Sequence, residues 1–127
     1  MDENDARVLL RKYAERGWIR RLTALQWLVD AGGKIEWQCF RQLCSETWYP
    51  LTYYLLYLQL ADDGLVSTRW LFAGRPDERE AWTYTLIPAD FLPAVAEELA
   101  RLRETVDALR AVEEGAPTYV SHVWRCR

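Results

Sequence analysis

The segment TWYPLTYYLLYLQLADDGLV, Thr47 to Val66, restricts the fold more than any other. An apolar run that opens on Pro50 and closes on Asp62-Asp63-Gly64 reads as a helix with a fixed start and a fixed stop. Proline suits a first helical turn, where no backbone donor is needed, and glycine takes the left-handed conformation that ends a helix. Beyond the stop the chain changes character. LVSTRWLFAG and AWTYTLI are rich in β-branched and aromatic residues and read as strands, with the polar segment Gly74 to Glu80 as a hairpin tip. In the second run Trp82, Tyr84 and Leu86 alternate with Thr83 and Thr85, so one face of that strand is expected to be buried.

Upstream, a first helix is expected from a cap at Asn4 or Asp5 to about Arg16, with Gly17 at its end and Val8, Leu9 and Tyr13 as its apolar stripe. A second runs from about Trp18 to Ala31, its Ile19, Leu22, Leu25, Leu28 and Val29 spaced by threes and fours before Gly32-Gly33. Lys34-Ile35 reads as a short extended link. A third helix covers about Glu36 to Cys44, and Ser45-Glu46-Thr47 reads as a tight turn. Downstream, a long helix is expected from about Asp90 to Glu113. Its Leu92, Val95, Leu99, Leu102, Val106 and Leu109 follow an a/d heptad seam, which suits a second copy of the chain or packing onto its own domain. Glu97 and Arg101 form a favourable i,i+4 pair on its outer face. The fold class is therefore mainly α with a small β-hairpin, an α+β arrangement.

With 127 residues, half of them apolar, the chain has enough material for one domain with a real core. A net charge of −3 gives no global field toward nucleic acid, yet Arg7, Arg11, Lys12, Arg16, Arg20 and Arg21 crowd together near the start. Cys39, Cys44 and Cys126 make neither a CxxC pair nor an even set, and the single His122 completes no zinc site, so reduced cysteines and no metal are expected. The opening residues carry no apolar signal core and no apolar run is long enough to span a bilayer, which points to a cytoplasmic protein without a membrane partner. No nucleophile motif or glycine-rich phosphate loop is present. The chain reads as a non-enzyme without cofactor.

The order helix, helix, turn, helix, hairpin across Trp18 to Ile87 resembles a winged helix-turn-helix. The junction YLLYLQLADDGLV, followed by a hairpin closing on Thr85-Leu86 ahead of a long helix, is similar to PadR-type and MarR-type bacterial transcriptional regulators. The resemblance covers a little over half of the chain. It implies an N-terminal helix over residues 1–17, a winged helix-turn-helix over 18–88, a C-terminal dimerisation helix over 89–114 and a tail over 115–127. It also implies a homodimer on duplex DNA, with the helix after Pro50 in the major groove and the hairpin as the wing.

Mapped onto this sequence, Arg20, Arg21 and Arg41 would hold phosphates. Thr52, Tyr54 and Gln59 would approach bases, and Arg75 and Arg79 would act from the wing. The residues themselves leave a second role open. Pro50 to Leu60 holds no Lys, Arg, Asn, Asp or Glu, whereas base edges are read mainly by such polar groups. With Tyr53, Leu56, Tyr57 and Leu60 turned to the core, Leu51, Tyr54, Leu55 and Leu58 face outward. They form either a docking patch for another protein or a surface covered by the first helix or the tail. The cationic cluster is likewise either a phosphate grip or a solvated helix face.

Overall fold

A computed structural model of the protein describes residues 1–48, 52–70 and 83–114. Helix α1 spans Glu3–Glu15, α2 Ile19–Asp30, α3 Trp37–Thr47 and α4 Thr52–Asp62. Strand β1 covers Lys34–Glu36, β2 Ser67–Trp70 and β3 Thr83–Leu86, and helices α5 (Leu92–Arg101) and α6 (Arg103–Glu114) follow. The strands form one antiparallel sheet in the order β1-β3-β2. Lys34-Ile35 is thus more than a link. It gives the hairpin strands a third neighbour.

Asp2, rather than Asn4 or Asp5, caps α1: its carboxylate accepts the Asp5 N–H at 2.9 Å, and Asp5 accepts the Asp2 N–H at 3.1 Å. This reciprocal pair satisfies two amides that a helix start leaves open. The buried stripe of α1 is Ala6, Leu10 and Tyr13, and Val8 points to solvent. Helix α2 is the centre of the molecule, with Leu22, Leu25, Trp27 and Leu28 fully enclosed. It touches α1, α4, α5 and α6. Helix α3 runs on through Ser45, Glu46 and Thr47, where a turn was expected. Gln42 donates to Glu46 at 3.1 Å one turn later, supporting the extra residues.

Gly64 sits at φ +80°, with its N–H on the Ala61 carbonyl at 3.0 Å and the Leu65 N–H on the Leu60 carbonyl at 3.1 Å. This double bond pattern closes α4 and sends Leu65 and Val66 into the core. Strand β3 has one buried face. Thr85 and Ile87 are buried, Ile35 lies directly across from Thr85 and is buried too, and Leu86 is only half-covered. Alternation leaves two candidate faces, and a shift of one residue exchanges them. Here the pairing to β1 decides, helped by the Ile87 N–H donating to the Gly33 carbonyl at 2.8 Å. Trp82 and the hairpin tip lie outside the described residues.

The long C-terminal helix is interrupted at Leu102, and its apolar seam is filled by its own chain. Val95, Leu99 and Val106 are buried, and Leu92, Leu102 and Leu109 pack partly buried on the same core. The element contacts are α5 with α1 and α2, and α6 with α2. A heptad pattern states which face is apolar and leaves the partner unspecified; here α1 and α2 pack against that face within one chain. Ion pairs line this contact: Arg7 to Glu97 at 3.1 Å and Arg11 to Glu98 at 2.8 Å, with Arg101 reaching Glu97 at 2.7 Å. The Arg11 guanidinium is held more firmly protonated by its hydrogen bond and charge contact with Glu98. Glu98 is 2 % exposed. Cys44 is a free buried thiol whose pKa burial pushes up to about 12, whereas Cys39 is disulfide-bonded, against the expectation of reduced cysteines.

Because the seam is internal, Leu99→Ala is expected to cost about 2–5 kcal/mol of folding stability. A contact made within one chain should lose the same stability at low and high protein concentration. Denaturant unfolding at two concentrations checks this. A midpoint that rises with concentration in the parent protein and not in the variant would return the seam to a dimer.

Candidate nucleic-acid interface

Helix α4 leans on α3 through aromatic contacts. The Trp37 ring meets Tyr53 edge-on at 5.5 Å and Tyr57 edge-on at 5.1 Å, and it stacks on Phe40 at 6.0 Å. With Leu56 and Leu60 in the core, the helix has one fixed inner side. This is the division its sequence predicts. The outer side carries Tyr54 at 57 % exposure, Leu55 at 62 % and Leu58 at 39 %, with Thr52 and Gln59 half-buried beside them. Helix α1 packs mainly on α5 and leaves this side uncovered; the tail lies outside the described residues.

Next to α4 an open cavity of about 280 Å³ separates it from the start of α2. Trp18, Arg20 and Arg21 line one wall, and Thr52, Leu55 and Gln59 the other. Residues expected to contact DNA from two distant stretches therefore share one cleft. Arg20 lies over the Trp48 ring at 5.6 Å and Arg41 over the Tyr53 ring at 4.9 Å, an arrangement that orients each guanidinium while retaining its charge. The first turn of α4 has no acidic residue, and Asp62 and Asp63 stand at its far end.

Arg21 has a different task from the one expected. Its guanidinium pairs with Asp63 at 3.3 Å, lies 4.0 Å from the Trp18 ring centre and 5.1 Å from that of Tyr13, and its side chain is 16 % exposed. The Tyr13 hydroxyl donates to the same Asp63 carboxylate. Burial pushes the Tyr13 ionisation well above its ordinary value, and the Asp63 hydrogen bond and charge push it further. Arg7 and Arg11 are likewise engaged with α5. Three of the six members of the N-terminal cluster, Arg7, Arg11 and Arg21, thus tie helices together through carboxylates. Leu51, Arg75 and Arg79 lie outside the described residues. Trp18 and Asp63 were not singled out from the sequence, where Asp63 serves only as part of a helix stop. The signal for Trp18 is its place between Gly17 and the Arg20-Arg21 pair.

Two outcomes follow for this network. Asp63→Ala removes the acceptor of both Tyr13 and Arg21 and should destabilise the fold by about 1–3 kcal/mol. Tyr13 favours its protonated form in the folded state, so its contribution is complete below the ordinary value of 10.0 and is lost as pH rises above it. Stability of the parent protein should therefore fall above that pH more steeply than that of Tyr13→Phe, in thermal unfolding followed across alkaline pH. Identical slopes would place the Tyr13 hydroxyl in water.

Comparison with protein families, characterised proteins and solved structures finds no match to this chain.

Proposed function

We propose that the chain is a winged helix-turn-helix protein that binds duplex DNA through the outer side of α4 and acts as a transcriptional regulator. The element order α2, β1, α3, α4, β2, β3 and the sheet order β1-β3-β2 support the fold reading. The observation that carries the function is the shared cleft: Arg20, Thr52 and Gln59 meet beside an outward helix whose N-terminal end is flanked by Arg20 and Arg41. A recognition helix presents its N-terminal residues to base edges while cations beside it hold phosphates. Arg21 is left out of this set because Asp63 and Trp18 hold it. The homodimer expected through the α5–α6 seam is left out as well, since the seam's buried residues face α1 and α2.

A second reading has its own support. Tyr54, Leu55 and Leu58 are large, apolar and exposed on one helix, which is the composition of a protein-docking patch.

Salt-titrated binding to duplex DNA separates the two. For DNA binding, affinity falls steeply with salt, and Arg20→Gln with Arg41→Gln flattens the log–log slope by about two units, because each phosphate contact releases condensed counterions. Leu55→Arg should then keep or raise general affinity. Absence of salt-dependent binding, together with an unchanged fold in Leu55→Arg, would favour the docking reading.

A further inference from the structure

The outer side of α4 offers duplex DNA an unusual mixture. Thr52, Leu55 and Gln59 follow one another at helical spacings of three and four, and Tyr54 and Leu58 form the adjacent row. Leu55 is the most exposed large apolar residue of this helix, and Tyr54 nearly matches it. No lysine or arginine lies between Pro50 and Leu60. Guanine presents two acceptors to the major groove, best met by the fork of an arginine or by a lysine, and cytosine presents a donor. Leucines pressed over a G·C pair would cover those groups and leave them unsatisfied. The major groove has one apolar feature of its own, the C5-methyl group of thymine, and adenine offers a donor–acceptor pair that a glutamine amide matches. Leu55 and Gln59 are four residues apart, about 6 Å along the helix, which is a little under two base-pair steps of about 3.4 Å.

We infer that the α4 face is a thymine-methyl reader, with Leu55, Leu58 and Tyr54 against C5-methyl groups and Gln59 on a neighbouring adenine. This rests on the DNA-binding reading above and names its substrate: A·T-rich duplex approached through the major groove. Two arginine side chains lie beside these rows: Arg20 lines the cleft with Thr52, Leu55 and Gln59, and Arg41 lies over the Tyr53 ring. Phosphates border the major groove, within reach of such side chains.

The test compares binding of the full chain to an alternating A·T duplex, the same duplex with every thymine replaced by uracil, and G·C duplexes with cytosine or 5-methylcytosine. Uracil lacks only the major-groove methyl. The expected result is a loss of about fourfold in affinity for each methyl contacted, which is the transfer value of one buried carbon group. The 5-methylcytosine duplex should regain part of the affinity lost with G·C. Leu55→Ala, at an exposed position, should still bind A·T duplex but discriminate less between thymine and uracil. Equal affinity for thymine and uracil duplexes overturns the inference and leaves DNA binding standing. An A·T preference that survives the uracil replacement also overturns it, because the selectivity would then arise in the minor groove or from duplex shape. Failure to bind any duplex at low salt, with Leu55→Arg as stable as the parent, overturns it together with the DNA reading and assigns the face to a protein partner.

Discussion

The orientation of α4 depends on one carboxylate. Asp63, just past the helix end, accepts from Tyr13 of α1 and from Arg21 of α2, and the Arg21 guanidinium in turn covers Trp18. Three helices are thereby fixed around one partly buried charge. A carboxylate in that position is tolerable only because both donors are present, since removing either would leave polar groups with reduced partnership away from water. At the other side Trp37 holds Tyr53 and Tyr57. Between these two anchors the helix cannot roll. Which residues of α4 face outward is thus set by contacts that the outward residues do not make.

The use of arginine follows a division of labour. Arg7, Arg11 and Arg21 are bound to carboxylates on other elements and serve the fold. Arg20 and Arg41 lie over aromatic rings near the N-terminal end of α4. A ring contact orients a guanidinium and leaves its charge intact. The net charge of −3 therefore says little about the local field at the cleft.

Much of the fold was legible because local chemistry decides it. Gly32-Gly33 and Gly64 end α2 and α4 where the sequence places the stops, and the inner and outer sides of α4 follow from the positions of Tyr53, Leu56, Tyr57 and Leu60. What was not legible depends on partners distant in sequence. The alternating strand Thr83–Leu86 carries no mark of which face is inner; Ile35 across the sheet decides that. The regular seam from Leu92 to Leu109 fits a partner helix and its own domain equally well, and only the position of α1, through Arg7 and Arg11, resolves it. Arg20 and Arg21 are adjacent, chemically identical and both line the cleft beside α4, yet Arg21 is also tied to Asp63, 42 residues along the chain, while Arg20 lies over Trp48. For the candidate site, the residue types were readable and the partners that each arginine meets were not.

The central claim is that duplex DNA meets the outer side of α4. Backbone amide NMR shifts recorded during titration with an A·T-rich duplex test it most directly. The account predicts that the largest changes fall on Thr52 to Gln59 and on residues around Arg20 and Arg41, with α5 and the α1 face against it unmoved. Changes centred on α1 and α5, or none at low salt, would contradict it.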